Sequence, residues 1–201
     1  MDYLEFRELY HHGIKGQKWG VQNGPPYPLS KERKFFVSGS SKTQDPSSMY
    51  YRKHLPKSVT DKIDAEMKSG SRIIVGDAPG VDSMVQDYLA KKGYKKVSVY
   101  YTGDKARKNA DDGSLNWTQR KVDGEGLEPN SKEWLAKKDK EMQKDADSGL
   151  AVVLENGGAS ATRKNVLALI EQNKDVLVYE LRGLEKDRLD DFIDKLSVKE
   201  N

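Results

Sequence analysis

Short apolar runs alternate with helical patterns along most of the chain. Runs rich in β-branched and aromatic residues are typical of buried strands, and they occur at residues 35–37, 73–75, 96–101, 150–154 and 175–179. Apolar residues three or four positions apart predict helices over 57–68, 83–93, 131–144, 162–170 and 184–196. Because strands that alternate with helices pair in parallel through right-handed crossovers, we expect a three-layer α/β fold with a mostly parallel sheet of about five strands.

Two stretches interrupt this alternation. Residues 1–30 are rich in Gly and Pro after a short apolar start, so they form a segment apart from the domain that we expect over 34–201. Residues 102–130 are polar and have almost no apolar periodicity. Loops of that length in compact domains are usually functional or disordered. Residues 102–130 are therefore either a flap that covers a site or a surface loop with no role at a site.

The composition and charge of the chain argue against several functional classes. The chain has 201 residues, of which 35% are hydrophobic and 33% charged, and 35 basic against 32 acidic residues give a net charge of +3. Because the two signs are mixed, a nucleic-acid partner is not expected. Cysteine is absent, which excludes disulfides and thiolate chemistry. No run approaches the roughly 18 apolar residues of a membrane helix, and the N-terminus lacks a signal-peptide pattern, so we expect a cytoplasmic protein with no membrane partner.

Three strand-to-helix junctions, at 38–41, 76–82 and 157–162, carry small and polar residues. In a parallel sheet they share the carboxyl edge, where helix N-termini and free N–H groups favour anions and where such folds bind ligands. Two carboxylates in the middle junction, Asp77 and Asp82, suit ribose hydroxyls. The alternative is structural, with ordinary turns and with Asp82, Ser83 or Thr162 capping helices. The outer junctions add the candidate ligand-binding residues Ser38, Gly157 and Ser160.

These junctions also resemble those of a known group of proteins. The pieces FVSGS from residue 36, VGDAPGVD from residue 75, DSGL from residue 147 and the run 156–162 before a helix are similar to the SLOG superfamily. The resemblance implies a Rossmann-like fold, a nucleotide-derived small molecule as ligand, and a homodimer joined through the helices after Ser83 and Ser131. The pocket residues that it implies are Gly39, Ser40, Gly76, Asp77, Gly80, Asp82, Gly158 and Thr162.

Within that superfamily, the chain departs from the phosphoribohydrolase motif. Those enzymes resemble P-G-G-x-G-T-x-x-E, in which the Glu assists cleavage of the N-glycosidic bond. When the motif is set on Thr162, the Glu position holds Asn165, and a carboxamide cannot act as a general base. If the chain is an enzyme, the candidate catalytic residues are therefore Asp77 and Asp82, with Glu155 as a further carboxylate.

The N-terminal segment carries a second resemblance. Residues 11–21, HHGIKGQKWGV, are similar to a tag-like segment at the ends of tailed-phage and prophage head-associated proteins, which implies phage or prophage origin and a bacterial host cell. His11 and His12 invite a metal-site interpretation. However, adjacent histidines with no third ligand nearby are more often a solvated or packed pair, so we expect neither a metal nor a cofactor.

Three functions follow as hypotheses. The first is a binding module that senses or sequesters a nucleotide-derived ligand, as an anti-defence protein against host signalling, and the missing Glu and the phage-like segment favour it. The second is a hydrolase that cleaves the N-glycosidic bond of a nucleoside 5′-phosphate or an ADP-ribose-like compound, and the paired aspartates favour it. The third is a single-stranded DNA binder by analogy with DNA-processing protein A, and the nearly neutral charge argues against it.

Overall fold

The computed structural model describes residues 32–124, 126–156 and 160–183, and the sheet organises them. Its six strands are β1 (Lys34–Gly39), β2 (Arg72–Gly76), β3 (Val97–Thr102), β4 (Thr118–Val122), β5 (Ser148–Leu154) and β6 (Asp175–Leu181). Their order across the sheet is β4-β3-β2-β1-β5-β6, and every neighbouring pair is parallel. The predicted α/β Rossmann-like fold is confirmed, with six strands instead of about five.

Helices cover both faces of this sheet. Within the described ranges they are α1 (Lys57–Lys68), α2 (Val81–Lys91), α3 (Lys132–Asp145) and α4 (Ala161–Glu171), together with a short 3-10 helix, Ser41–Gln44. Adjacent residues of β1 enter opposite cores, as alternation along a strand requires. Val37 packs with residues of α1 and α2, whereas Phe36 packs with residues of α3 and α4. The domain therefore has three layers.

Strand β4 is the element that the sequence pattern missed. The loop expected over 102–130 contains this strand, which pairs with β3 in the register Val99↔Gln119. Its sequence is TQRKV, and the three middle residues are exposed. Because it lies at an edge of the sheet and its middle is solvated, it needs no apolar alternation, and its polar composition gave no strand signal.

The strand order reverses beside β1. The chain adds β2, β3 and β4 in succession on one side of β1, and then returns to place β5 and β6 on its other side. In open α/β sheets, ligands bind in the crevice outside the carboxyl ends of the two strands at such a reversal. The carboxyl ends of β1 and β5 are therefore where this fold would be expected to bind a ligand.

The predicted caps of α2 and α4 were wrong. Helix α2 begins at Val81 with Gly80 as its N-cap and no side-chain capping bond, so neither Asp82 nor Ser83 caps it. The N-cap of α4 is Ser160, whose Oγ accepts from Arg163 N, and not Thr162. Helix α3 is capped by Ser131, whose Oγ accepts from Trp134 N.

Several predictions fall outside the described residues. They concern the tag-like segment 1–30 with its two histidines, the loop residues Gly157 and Gly158, and the closing helix over 184–196. In the parts of the chain that the structure does describe, every helix is too short or too polar to cross a membrane.

Candidate functional site

Segment 45–52 lies beside the carboxyl ends of β1, β5 and β6. The hydroxyl of Tyr50 accepts a hydrogen bond from Asn156 N, directly after β5, at 3.4 Å. Arg52 donates to the carbonyl of Arg182, directly after β6, at 2.6 Å. Tyr50 is buried in the core on the α1 and α2 side, so this aromatic ring serves packing. The segment is therefore held against the chain that directly follows β5 and β6.

Two of the three predicted junctions are interlocked by backbone contacts. Val81 N donates to the carbonyl of Ser40 at 3.2 Å, and Gly80 N donates to the side-chain oxygen of Gln44 at 2.9 Å. Gly80 has a φ of +87°, and a Cβ built on it would lie 2.2 Å from the Ser40 carbonyl oxygen. Similarly, a Cβ on Gly39 would lie 2.4 Å from the Val81 side chain. These glycines are needed for contacts within the protein.

The predicted hydroxyl residues divide into two groups. Ser40 and Ser160 have their oxygens engaged, because Ser40 Oγ accepts from Lys42 N and Ser160 Oγ caps α4. In contrast, Ser38 and Thr162 are 6% and 5% exposed, and neither hydroxyl forms a hydrogen bond with another described residue. Ser38 follows Phe36 by two positions on β1, so it faces the α3 and α4 layer. These two hydroxyls are available to a ligand.

Asp77, at the end of β2, is held by Arg107. Its two oxygens accept from Arg107 N and Nε at 3.0 Å each and from an Nη at 2.7 Å. Burial alone disfavours the ionised carboxyl, but these hydrogen bonds and the guanidinium charge hold the pKa of Asp77 below its ordinary value. An ionised aspartate with both oxygens occupied orients a loop well but is a poor proton donor.

Asp82 sits in a different environment only five residues later. It is 6% exposed, and one oxygen accepts a long hydrogen bond from Ala78 N at 3.4 Å. The Nζ of Lys138 lies 3.9 Å from the same oxygen, too far for a hydrogen bond. Because desolvation outweighs the nearby ammonium, the pKa of Asp82 rises to about 7. Such a carboxyl can both donate and accept a proton near neutral pH.

Lys138 brings a buried charge from α3 to these aspartates. It is 4% exposed, and its Nζ donates to Asp139 at 3.0 Å and lies 4.0 Å from Asp77. Burial disfavours the ammonium, yet the surrounding carboxylates hold the pKa of Lys138 above its ordinary value. With Asp82 neutral, the two cations Lys138 and Arg107 balance the two anions Asp77 and Asp139. Ionising Asp82 would leave one unbalanced negative charge.

Gly76 provides the space for this charge cluster, which we define as Asp77, Asp82, Arg107, Lys138 and Asp139. A Cβ on Gly76 would lie 2.4 Å from an oxygen of Asp82 and 2.7 Å from Nζ of Lys138. Any larger residue would therefore push these two groups apart. The absence of a side chain at Gly76 therefore makes room for Asp82 and Lys138. It does not serve the close approach of another backbone.

The segment between β3 and β4 is fastened along α2. Besides the contact of Arg107 with Asp77, the fully buried Gln86 donates to the Gly76 carbonyl at 2.8 Å and accepts from Ala110 N at 3.0 Å. Trp117 is 6% exposed and donates from Nε1 to the Tyr94 carbonyl at 2.7 Å. These bonds hold the segment as an ordered crossover against the layer that contains α2.

Asn165 joins α4 to α3. Its side-chain oxygen accepts from Nε2 of Gln143 at 2.8 Å, and both residues are buried. The position at which the phosphoribohydrolase motif carries Glu is therefore used here for a contact between helices. This is consistent with the absence of that motif's acid–base chemistry at Asn165.

The predicted site residues lie on two different faces of the sheet. Gly76, Asp77 and Asp82 meet at the end of β2 on the α3 side, whereas Gly39, Ser40 and Gly80 interlock on the α2 side. Sequence reasoning missed Lys138 and Gln86. Lys138 precedes Met142 by one helical turn on the buried stripe of α3, and a charged residue on an apolar stripe is the signal that could have identified it.

The described ranges hold no group of three His, Cys, Asp or Glu side chains that could bind a metal ion. The comparison with protein-family models found no match, and neither did the comparison with curated proteins.

Proposed function

We propose that this protein binds a nucleotide-derived small molecule at the carboxyl edge of its sheet, between β1 and β5. The observation that carries the proposal is the reversal of strand order beside β1. Ligands of open α/β sheets bind at such reversals. The resemblance of the junctions to the SLOG superfamily adds the class of ligand.

The hydroxyl groups of Ser38 and Thr162 support the proposal. Ser38 and Thr162 are almost fully buried and form no hydrogen bond with another described residue. Each hydroxyl can therefore donate a hydrogen bond to a ligand or to water. Thr162 lies in the first turn of α4, and a helix N-terminus favours an anion. The hydroxyls and this helix end suit the phosphate and ribose of a nucleotide.

The biological part of the proposal rests on the sequence resemblances. The similarity of residues 11–21 to a segment of phage head-associated proteins favours a phage or prophage protein that sequesters or senses a host signal in the bacterial cytoplasm, as a homodimer. The ion pairs and hydrogen bonds of the charge cluster hold loops in place. These contacts have a structural explanation that needs no catalytic role, which is consistent with a binding protein.

The experiment is mass spectrometry of small molecules released from purified, heat-denatured protein. Wild-type protein should release a nucleotide-derived compound, and the variants Asp82→Ala and Thr162→Val should release much less of it. The conservative variant Thr102→Val is the matched control, because Thr102 is a buried threonine at the end of β3, a strand that β2 separates from β1. If no preparation releases or binds a nucleotide, the proposal fails.

A second candidate function is hydrolysis of an N-glycosidic bond, and Asp82 is the observation that favours it. A carboxyl whose pKa lies at about 7 matches the requirement for a general acid near neutral pH. In that reaction Asp82 would donate its proton to the departing base nitrogen as the bond to the ribose carbon breaks. Water would add its hydroxide to that carbon, and its remaining proton would restore Asp82.

Chromatography of a nucleotide panel incubated with the protein distinguishes the two functions. Binding alone predicts intact nucleotide, whereas hydrolysis predicts free base and ribose phosphate in equal amounts. Asp82→Asn should abolish release of the base while leaving the compound bound. Release that is unchanged in this variant would exclude Asp82 as the acid.

A further inference from the structure

A groove of about 610 Å³ runs along the flank of α2 that faces α1. This volume is within the range of small-molecule sites. The groove lies between the chain that follows the 3-10 helix and the side of α2, and no residue of β1 or β5 lines it. Its lining includes Gln44, Lys53, His54, Leu55, Thr60, Met84, Asp87, Tyr88, Lys91 and Lys92.

The charges of this groove are only partly balanced. Asp87 is paired with Lys108 at 2.7 Å, and Lys92 is paired with Asp64 at 3.2 Å. By contrast, Lys53 and Lys91 form no ion pair with a described residue. Two positive charges at the groove are therefore unpaired within the part of the chain that the structure describes.

The groove also has an apolar part. The side chains of Leu55 and Met84 contribute to the lining, and Met84 is 8% exposed. The Tyr88 ring is held in place because its hydroxyl donates to Asp64 at 2.7 Å. The Nζ of Lys92 lies 5.2 Å from the centre of this ring. An occupant can therefore pack a flat or aliphatic body beside fixed apolar atoms.

We propose that this groove binds a phosphomonoester that carries an apolar or aromatic body. A phosphomonoester has a charge of about −1.5 to −2 at neutral pH, which matches the two uncompensated lysines. The imidazole of His54 adds a hydrogen-bond donor or acceptor at the same wall. The body of the ligand lies against Leu55, Met84 and Tyr88. This site is separate from the one proposed at the strand reversal.

The groove is connected to the carboxyl edge through Gln44. This residue lines the groove, and its side-chain oxygen accepts from Gly80 N at the start of α2. A ligand that contacts Gln44 therefore touches the anchor of the 76–82 junction. Resonances of Gly80 and Val81 should shift when the groove is filled, although these residues do not line it.

The experiment is a nuclear magnetic resonance titration of the full chain with phenyl phosphate, benzoate and benzyl alcohol. These probes share a ring but carry about two, one and no negative charges. The proposal predicts that phenyl phosphate binds most tightly and benzyl alcohol least. The shifted backbone resonances should map to the groove residues Leu55, Thr60, Met84 and Tyr88 and to Gly80 and Val81 at the start of α2.

Charge-reversal variants test the assignment. Lys53→Glu and Lys91→Glu should each weaken phenyl phosphate binding about fivefold, the upper range for an exposed charge pair. Lys95→Glu, an exposed lysine outside the groove, should bind as the wild type does. Thr162→Val should also leave this binding unchanged, which separates the groove from the proposed nucleotide site. Equal binding of the three probes, shifts that map elsewhere, or equal loss in Lys95→Glu would each overturn the proposal.

Discussion

The protonation of Asp82 predicts an unusual dependence of stability on pH. The pKa of this buried carboxyl rises from its ordinary value of 3.8 to about 7 in the folded protein. The folded state therefore holds a proton that the unfolded state has already released between about pH 4 and pH 7. In that window the free energy of unfolding falls as the pH rises, which is opposite to the effect of a salt-bridged carboxylate.

The magnitude follows from the size of the shift. A change of about 3 pKa units, at about 1.4 kcal/mol per unit, corresponds to about 4 kcal/mol. The test variant is Asp82→Asn, whose carboxamide has nearly the shape of the protonated carboxyl but cannot ionise. The free energy of unfolding of the wild type minus that of Asp82→Asn should fall by about 4 kcal/mol from pH 4 to pH 7 and stay constant above pH 7.

Urea denaturation at half-unit pH steps measures this difference. Asp104→Asn is the matched control, because the Asp104 side chain is fully exposed. Its stability difference from the wild type should change little over the same range. If the difference for Asp82→Asn is constant or rises with pH, Asp82 is ionised in the folded protein. The account of the charge cluster as neutral with Asp82 protonated would then be wrong.

Three further substitutions test the contacts around the junctions by urea denaturation. Arg107→Ala removes the guanidinium charge and its two side-chain hydrogen bonds from the buried Asp77 and should lower the free energy of unfolding by about 3 kcal/mol; a change below about 1 kcal/mol would mean that water replaces the guanidinium. Gly80→Ala places a Cβ 2.2 Å from the Ser40 carbonyl oxygen at a positive φ and should cost about 2 to 4 kcal/mol; an unchanged stability would contradict the interlocked junctions. Gln86→Leu leaves its backbone partners unsatisfied and should cost about 2 kcal/mol, with faster amide exchange in the segment between β3 and β4; unchanged exchange would contradict its role as an anchor.

The parts of the fold that the sequence predicted are those in which local patterns and tertiary packing agree. The run 73–75 is β-branched and becomes the fully buried centre of β2. The stripe Val59, Ile63 and Met67 predicted α1, and the first two of these residues are fully buried. In each case the same periodicity that identifies the element also defines the face that packs.

The elements that the sequence did not predict depend on partners distant in the chain. Strand β4 is specified by hydrogen bonding to the edge of β3 and not by its own polar sequence. The role of Gly80 depends on the Ser40 carbonyl, which no local pattern indicates. Asp77 and Asp82 look equivalent in sequence, but their pKa values shift in opposite directions, because burial raises the pKa of Asp82 while the hydrogen bonds and charge of Arg107 lower that of Asp77. Such differences are set by the burial and the partners that the folded chain gives each carboxyl.

The most direct test of the central proposal is calorimetric titration of nucleoside phosphates and ADP-ribose into wild-type, Thr162→Val and Thr102→Val proteins. The account predicts that one of these compounds binds to the wild type and to Thr102→Val with the same Kd. Its binding to Thr162→Val should be about tenfold weaker, because one hydrogen bond to a charged group is lost. If no compound binds to the wild type, or if Thr162→Val binds as tightly as Thr102→Val, the edge between β1 and β5 is not a nucleotide site of the kind proposed.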